Sequence, residues 1–258
     1  MNMKCHICDS ETKLAFTKLV LKKYNVMFYQ CSNCYYIQSE EPYWLDEAYN
    51  SALNIDDTGI LKRNTTFHKK TLVIDYFIFN HQKEFLDFAG GYGVFTRLMR
   101  DAGFDYYWTD KYAQNILARG FEDNGAKKYE SLTAFEVFEH IVNPKEEIGN
   151  MLKFSDSIIF TTLLIDKSYP DPDSWWYYGF HHGQHVSFYT FESLNLLSKQ
   201  FGLNYYSDGI NFHLFTKKKL SNLYFKLLLK FSKYGLDLFV RMNLKSKTDS
   251  DSNLLKTR

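Results

Sequence analysis

The stretch LDFAGGYGVFTRLMRDAGFDYYWTD, residues 86–110, decides the fold. Its first apolar run predicts a buried strand that ends in a glycine turn, and VFTRLMRDAG predicts a helix that Gly103 stops. The next apolar-aromatic run predicts a second strand, closed by Asp110. Glycines let a backbone approach a ligand closely, and a helix N-terminus offers unbonded N–H groups. The stretch therefore predicts a nucleotide-type site on an α/β sheet.

Strand and helix patterns alternate through the rest of residues 81–216, and the strands are almost continuously apolar. Such a pattern is typical of a doubly wound, Rossmann-like α/β fold with a parallel sheet. The runs NYYSDGI and NFHLFTK add an antiparallel pair at its end. The predicted domains are a small cysteine module (1–40), a linker and helix (41–80), the α/β domain (81–216), and a basic amphipathic helix with a polar tail (217–258).

Composition limits the class of protein. The 258 residues are 45% hydrophobic, enough for one sizeable core and a small appended module. The net charge of +1 argues against a strong field for nucleic acid, and none is expected as a partner. No apolar leader follows Met1, and no uncharged apolar run reaches the roughly 18 residues of a spanning helix. We expect a cytoplasmic protein.

All four cysteines lie near the N-terminus, in the pairs CHIC and CSNC. Two C-x2-C turns separated by 22 residues predict one tetrahedral, structural Zn²⁺ site, because each turn presents two thiolates to the same ion. The ligands would be Cys5, Cys8, Cys31 and Cys34. Zinc ribbons also occur in nucleic-acid-binding proteins, so a non-catalytic zinc-ribbon binder stays open as an alternative.

LDFAGGYG resembles the first motif of class I S-adenosylmethionine (SAM) methyltransferases, D-x-G-x-G-x-G, with Ala89 where the first glycine usually stands. In that family the loop wraps the methionine part of SAM, and an acidic residue ending the second strand takes the ribose hydroxyls. The resemblance assigns to the cofactor Asp87, Gly90, Gly91, Gly93 and Asp110.

TAFEVFEHIVNP, residues 133–144, resembles the fourth-strand segment of ubiquinone-biosynthesis-like methyltransferases, E-V-x-E-H-hydrophobic-x-x-P. The resemblance places Glu136 near SAM. In quinone O-methyltransferases, carboxylates and the histidine of this motif can hold a divalent metal, which would here involve Glu136, Glu139 and His140. A metal-assisted, small-molecule O-methyltransferase is therefore a second reading.

The loop SWWYYGFHHGQHVSFYT carries three candidate catalytic residues, His181, His182 and His185, because a neutral histidine suits the removal of an acceptor proton. GQHVSFYT is similar to the H-E-H-x-S-x-F-S segment of zinc-containing sugar methyltransferases from deoxysugar pathways. The resemblance implies a saccharide hydroxyl, free or nucleotide- or lipid-linked, as acceptor, in polysaccharide biosynthesis. The adjacent aromatic residues, 175–178, would form stacking walls for the sugar.

From Lys217 to Lys245, basic residues recur at helical spacing among Leu, Phe, Tyr and Val, with a break predicted near Gly235. Such a helix can pack on its own domain, pair in a dimer, or contact an anionic membrane peripherally, and all three fates stay open. The segment after Lys245 is polar, and we expect it to be disordered.

Overall fold

The computed structural model describes residues 3–49, 57–125 and 127–257. The strands are β1 (Thr12–Val20), β2 (Tyr24–Cys31), β3 (Ile37–Ser39), β4 (Glu84–Phe88), β5 (Asp105–Thr109), β6 (Leu132–Ala134), β7 (Ser157–Thr161), β8 (Ser187–Phe188), β9 (Asn204–Ser207) and β10 (Phe212–Thr216). The α-helices are α1 (Leu45–Ala48), α2 (Ile60–Ile78), α3 (Val94–Asp101), α4 (Pro144–Met151), α5 (Phe191–Gln200), α6 (Asn222–Phe231), α7 (Leu236–Met242) and α8 (Thr248–Lys256). Two 3-10 helices span Phe138–His140 and Trp176–Tyr178.

A six-stranded sheet has the order β5-β4-β6-β7-β10-β9. Strand β4 pairs in parallel with both β5 and β6, whereas β9 and β10 are antiparallel. The sequence prediction of an α/β fold with an antiparallel end is thus confirmed. The register places Asp87 of β4 opposite Trp108 on one side and Thr133 on the other, which fixes the neighbours of this carboxyl group.

The outer edge of β5 is covered by residues 121–123. Trp108 donates its backbone N–H to the carbonyl of Phe121 at 2.8 Å and accepts from Asp123 N–H at 2.7 Å. Trp108 and Glu122 form an isolated parallel bridge. Because an exposed strand edge invites pairing with other chains, this short cover protects the sheet beside the glycine turn.

A second sheet has the order β1-β2-β3-β8. Strands β1 and β2 form the antiparallel hairpin expected between the two cysteine turns. A buried apolar cluster packs against this sheet and includes Val26, Phe28, Ile37, Trp44, Tyr177, Tyr178 and Phe188. The 3-10 helix Trp176–Tyr178 therefore contributes two of its aromatic side chains to a core.

The chain divides into two compact units. One comprises the described part of residues 1–54 with Glu136–Asn150 and Phe160–Lys217, and we call it the cysteine–histidine unit. The other comprises the described part of 55–135 with Met151–Ile159 and 218–257, and we call it the glycine-turn unit. The sequence-based domain boundaries stay a prediction, and the part of the linker at residues 50–56 lies outside the described residues.

After Lys245 the chain forms helix α8 (Thr248–Lys256), so the expectation of disorder in this segment was wrong. Helix α8 is held by Asp251, whose carboxylate accepts hydrogen bonds from Arg100 Nε at 2.7 Å and Arg97 Nη2 at 2.8 Å. Local composition does not reveal this tie, because the partners lie about 150 positions earlier in the chain. Among the described residues, no helix combines the length and apolarity needed to cross a bilayer.

Candidate active site

The glycine turn 89–93 joins β4 to α3 in the glycine-turn unit. Gly91 has φ +54° and donates its N–H to Asp110 Oδ2 at 2.9 Å. Its backbone carbonyl accepts from Trp108 Nε1 at 2.9 Å. A side chain built at Gly91 would meet no protein atom within 4 Å, so this backbone borders open space. The main chain at Gly91 is therefore accessible, and binding of a ligand there stays a prediction.

Gly90 and Gly93 are required for a different reason, close packing. A Cβ at Gly90 would lie 2.7 Å from Asp87 Oδ2 and from Trp108 Cδ1. A Cβ at Gly93, where φ is +83°, would lie 2.8 Å from Asn115 Oδ1. Ala89 also has a positive φ, +54°, which an L-residue adopts at a cost of about 1 kcal/mol. The position at which the resembling family carries glycine keeps glycine geometry here.

Asp87 is buried beneath the turn. Its Oδ2 accepts from the Thr96 hydroxyl at 2.8 Å, and its Oδ1 accepts from the Thr133 hydroxyl at 3.0 Å. Burial raises the pKa of this carboxyl group to about 7. These contacts tie the first turn of α3 to β4 and β6, and direct contact of Asp87 with a cofactor stays a prediction.

Asp110 closes the turn from the end of β5. Besides Gly91 N–H, it accepts at Oδ1 from the N–H groups of Tyr112 and Ala113, both at 2.7 Å. A carboxylate has about four lone-pair directions, so three N–H groups leave capacity at Oδ2 for one more donor. A ribose hydroxyl is such a donor, and Asp110 is therefore suited to the role predicted for it.

Sequence reasoning missed four residues that build this turn: Trp108, Thr96, Thr133 and Asn115. Asn115 accepts from Ala118 N–H at 2.9 Å and donates to Glu122 at 2.7 Å, which fixes the segment packed on Gly93. The aromatic residue two positions before the strand-closing acid was a visible signal for Trp108. The threonines gave no local signal, because Thr96 lies on α3 and Thr133 on β6, whereas their partner Asp87 lies on β4.

In the cysteine–histidine unit, His185 has a defined tautomer. Its Nδ1 lies 2.5 Å from the carbonyl oxygen of Tyr177. A carbonyl accepts only, so Nδ1 carries the proton and Nε2 carries the lone pair. Burial lowers the pKa of His185 well below its ordinary value, and the neighbouring histidines His140 and His182 lower it further. His185 is therefore neutral at pH 7.

His182 has the opposite tautomer. Its Nδ1 accepts from Gln184 N–H at 3.2 Å, so in the neutral ring the proton sits on Nε2. Its ring lies against Gly179, where an added Cβ would be 2.1 Å from Nε2. His181 is exposed, and its ring stands edge-on to that of His182 at 4.8 Å. The lone-pair nitrogen of His182 is therefore occupied by a backbone N–H, whereas that of His185, Nε2, is not the nitrogen bonded to the Tyr177 carbonyl.

The fourth-strand motif contributes a different ligand set from the one expected. Glu139, His140 and His185 each place one ligand atom within 4.8 Å of the others. Glu136 is not in this group among the described residues: its carboxylate accepts from the Thr161 hydroxyl at 2.8 Å. His140 Nδ1 lies 3.0 Å from the Tyr49 hydroxyl, and burial lowers the pKa of His140 to about 4. The possible metal set is thus Glu139/His140/His185 rather than Glu136/Glu139/His140.

The aromatic walls expected beside the histidines are mostly core. Tyr177 and Tyr178 are buried, and the Tyr177 hydroxyl lies 3.1 Å from Leu163 N–H. Trp175 is partly buried against the same cluster. Trp176 alone among these four residues is strongly exposed, at 74%. The prediction of stacking walls was therefore wrong for the two tyrosines, because their large apolar rings are buried in the hydrophobic core.

The four cysteines come together as predicted. The Sγ atoms of Cys8 and Cys31 are 3.4 Å apart, and those of Cys5 and Cys34 are 3.6 Å apart. Tetrahedral zinc with bonds of about 2.3 Å places its sulfurs about 3.8 Å apart, close to these distances. A hydrogen bond from Cys34 lowers the pKa of Cys5 to about 5. The donor set therefore fits one zinc ion.

A family model described as "Methyltransferase domain" matches residues 63–208, more than half of the chain. The chain belongs to the methyltransferase-domain family. This membership confirms the enzyme class predicted from the sequence, a methyltransferase. The matched range begins in α2 of the glycine-turn unit and ends just after β9, so it includes the glycine turn, the fourth-strand motif and the histidine loop.

Several solved structures resemble this methyltransferase-domain protein. CalO1, a methyltransferase in calicheamicin biosynthesis in an SAH-bound form, is 12% identical over 69% of this chain and 60% of that chain, with a TM-score of 0.44. The pyocyanin biosynthetic protein PhzM is 12% identical over 66% and 61%, with a TM-score of 0.45. Human N-acetylserotonin methyltransferase in complex with SAM is 11% identical over 68% and 66%, with a TM-score of 0.41.

The chain therefore spans about three fifths of the length of the first two of these proteins. No curated protein sequence matches it.

Proposed function

We propose that this protein transfers a methyl group from SAM to a hydroxyl of a saccharide or of a nucleotide- or lipid-linked sugar. The observation that carries the proposal is the glycine turn whose Gly91 N–H donates to the Asp110 carboxylate. This turn lies within the range matched by the methyltransferase-domain family. The turn offers main chain and one carboxylate to a ligand, and its backbone is shaped by glycines that cannot be replaced without a clash or strain.

The proposed cofactor residues have different roles. Gly91 leaves open the space over its backbone, and Asp110 accepts the ribose hydroxyl with its remaining lone pair. The conformation of the turn depends on close packing at Gly90 and Gly93 and on the hydrogen bond that Asp87 accepts from Thr96. Glu136 has a positive φ of +55°, which costs of order 1 kcal/mol, and such strain is typical of functional positions. We keep Glu136 as a cofactor contact on that ground.

SAM supplies a methyl group bonded to a positively charged sulfur. In the proposed reaction the acceptor oxygen forms the new bond to this methyl carbon while the carbon–sulfur bond breaks. The hydroxyl proton moves to Nε2 of His185, whose Nδ1–H remains on the Tyr177 carbonyl. The buried Glu139 carboxylate lies close enough to stabilise the imidazolium that forms.

A sugar acceptor is favoured by one exposed indole. Trp176 is 74% exposed and its ring centroid lies 5.5 Å from that of Tyr177, which in turn lies 4.9 Å from His185. An exposed indole on this 3-10 helix, linked to His185 through the ring of Tyr177, offers a stacking platform for a sugar ring. The resemblance of GQHVSFYT to sugar methyltransferases supports the same acceptor class.

The test is a transfer assay with radiolabelled SAM and a panel of sugar nucleotides, free sugars, quinols and catechols. Label in a sugar product, with formation of S-adenosylhomocysteine, is the expected result. Trp176→Ala should raise KM for the sugar without changing SAM affinity. Label only in quinols or catechols would overturn the sugar assignment, and no label in any acceptor despite SAM binding would overturn the hydroxyl assignment.

We propose that Cys5, Cys8, Cys31 and Cys34 hold a structural zinc ion. Four thiolates close the coordination shell, so this ion would take no part in the chemistry. Backbone N–H groups support the sulfurs, among them Ile7 N–H at 3.4 Å from Cys5 Sγ. The turn is anchored within its unit, since Thr190 donates its hydroxyl to the Cys34 carbonyl at 2.6 Å.

A metal-assisted O-methyltransferase is the second candidate, favoured by the group Glu139/His140/His185. Two imidazoles and one carboxylate suit a divalent ion such as Zn²⁺ or Mn²⁺ and leave positions open for an acceptor oxygen. His185 Nδ1–H donates to a carbonyl, the outer contact that metal-bound histidines usually make.

The two candidates differ at His185, whose Nε2 can accept a proton or bind an ion but not both. Metal analysis of the purified protein separates them. If His185 is a general base, we expect one metal ion per chain, which is lost when the cysteines are mutated. Two equivalents, of which His185→Ala removes one and His81→Ala removes none, would favour the metal reading.

A further inference from the structure

The C-terminal helices α6 and α7 are packed on one side only. Phe225, Leu228 and Leu229 of α6 and Val240 of α7 are buried within the glycine-turn unit. Both helices lie against α2, and Phe239 of α7 contacts Phe77 of α2 with ring centroids 6.3 Å apart. Tertiary packing therefore fixes this segment, and its other face is presented to solvent.

That outer face is unusually apolar. Leu223, Leu227 and Phe231 follow one another at four-residue steps and form a stripe along α6. Tyr234, in the turn after α6, is 74% exposed, and Met242 of α7 is 86% exposed. The exposed apolar side chains of the two helices and their joint are Leu223, Tyr224, Leu227, Phe231, Tyr234, Leu238, Phe239 and Met242. Soluble proteins rarely leave so many large apolar side chains together without a use.

A basic stripe runs beside the apolar one. Lys226 and Lys230 are four residues apart on α6, so they share a helix face about one residue away from the leucines, and Lys233 follows in the turn after α6. All three are exposed, as are Lys219 and Lys245 at either end of the segment. Long lysine stems can lie along apolar surface while the ammonium groups reach outward.

Negative charge is nearly absent from this surface. Asp237 is the sole acidic residue in the sequence from 217 to 247, and it is buried at 5% exposure. The outer face therefore combines exposed apolar groups with cations and no exposed carboxylate. This combination matches the interface of a bilayer that contains anionic lipid, where apolar groups enter the acyl boundary and lysines meet phosphates.

We propose that the outer face of α6 and α7 docks on the surface of an anionic phospholipid bilayer. Helix α6 has ten residues and α7 has seven, so the segment would lie in the plane of the interface. A second copy of the chain is a poorer occupant, because a symmetric dimer would bring two cationic surfaces together. For a cytoplasmic protein, the location expected from the sequence, the surface is the inner leaflet.

The experiment is flotation of the full-length protein with extruded vesicles of phosphatidylcholine alone or mixed equally with phosphatidylglycerol. We expect at least about tenfold stronger partitioning into the anionic vesicles, weakened by salt. The triple variant Leu223→Ser/Leu227→Ser/Phe231→Ser should lose at least about tenfold, because it removes the apolar stripe. Lys226→Gln/Lys230→Gln/Lys233→Gln should lose a similar factor through charge.

The matched control is Leu14→Ser/Leu19→Ser, which removes two leucines that are 57% and 50% exposed on β1. It should leave partitioning unchanged, and circular dichroism should show all variants folded. No partitioning by the wild-type protein, or equal partitioning into neutral vesicles, would overturn the proposal. A dimer detected by light scattering that becomes monomeric in the Leu223→Ser/Leu227→Ser/Phe231→Ser variant would also overturn it. So would binding to anionic vesicles and to heparin that is lost in the lysine variant but kept in the Leu223→Ser/Leu227→Ser/Phe231→Ser variant.

Discussion

The glycine turn and the histidine loop belong to different compact units and are built in different ways. The turn depends on the backbone of Gly91, whose N–H donates to the Asp110 carboxylate and whose carbonyl accepts from the Trp108 indole. Both partners lie within 20 positions of Gly91 in the chain. The histidine loop is made by side chains drawn from distant segments, with His140 bonded to Tyr49 and His185 grouped with Glu139. A backbone site can be recognised from short spacing, whereas a side-chain site depends on contacts that spacing does not encode.

The largest effect is expected from removal of the zinc ligands. Cys34→Ser should abolish binding of one zinc per chain and lower the free energy of unfolding by several kcal/mol, because zinc binding is part of folding in such modules. Metal analysis and urea titration measure both. Ser32→Ala, in the same turn, should do neither. SAM affinity should change by less than about threefold, because the cysteines and the glycine turn belong to different compact units. Loss of SAM binding by Cys34→Ser would contradict this independence of the two units.

The next effect separates the two histidines. His185→Ala should lower turnover by about 10²- to 10⁴-fold, the usual contribution of a general base. His182→Ala should cost less, because its Nδ1 lone pair is taken by Gln184 N–H. Turnover is followed by S-adenosylhomocysteine formation and SAM affinity by calorimetry, which should stay unchanged in both variants. A larger loss in His182→Ala would reverse the assignment of the base.

A smaller effect concerns Asp87 and pH. The pKa of Asp87 in the folded protein is about 7, above the ordinary aspartate pKa of about 3.9. Between those two values the folded state binds more protons than the unfolded state. Stability contributed by this group therefore falls as pH rises from about 4 to about 7. Asp87→Asn keeps a hydrogen-bonding group for Thr96 and Thr133 without the charge, and its stability relative to wild type should increase over that range, by about 1–3 kcal/mol.

Thermal melts of Asp87→Asn and wild type at pH 4.5 and pH 7.5 measure the difference. If the variant is equally destabilised at both values, burial of the charge is not what sets the pKa. Loss of SAM affinity in a stable variant would add a direct cofactor role to the structural one.

The smallest effect concerns Ala89. Glycine has no Cβ penalty at φ +54°, so Ala89→Gly should stabilise the protein by up to about 1 kcal/mol, reduced by the greater freedom of glycine in the unfolded chain. Chemical denaturation measures this change. A clear loss of stability would mean that the Ala89 methyl group packs favourably enough to outweigh the strain.

The sequence predicted what depends on backbone and spacing. The strand–turn–helix around Gly91, the position of Asp110 at the end of the second strand and the meeting of the four cysteines all follow from local patterns. The break at Gly235 between α6 and α7 does too, since this glycine has φ +98°. In each case the residue type is dictated by a local need, namely positive φ, a thiolate pair or an acceptor at a strand end.

What the sequence did not predict depends on long-range partners. The possible metal set contains His185 in place of the predicted Glu136. To predict this, one would have to know that the loop at residue 185 approaches the 3-10 helix that contains Glu139. The burial of Tyr177 and Tyr178 depended on an apolar cluster whose members are far apart in the sequence, from Val20 to Phe188. Helix α8 was missed because its anchor, Arg100, lies far back in the chain. Composition alone carries none of these contacts.

The central claim, that the glycine turn binds SAM, is tested most directly by calorimetric titration of SAM into the zinc-loaded protein and two glycine variants. Gly91→Ala and Gly202→Ala each add a methyl group at positive φ, +54° and +66°, where no protein atom lies within 4 Å. We predict saturable one-site binding by the wild type, at least about tenfold weaker binding by Gly91→Ala, and unchanged binding by Gly202→Ala. Equal affinity in all three proteins, or no binding by the folded wild type, would contradict the account.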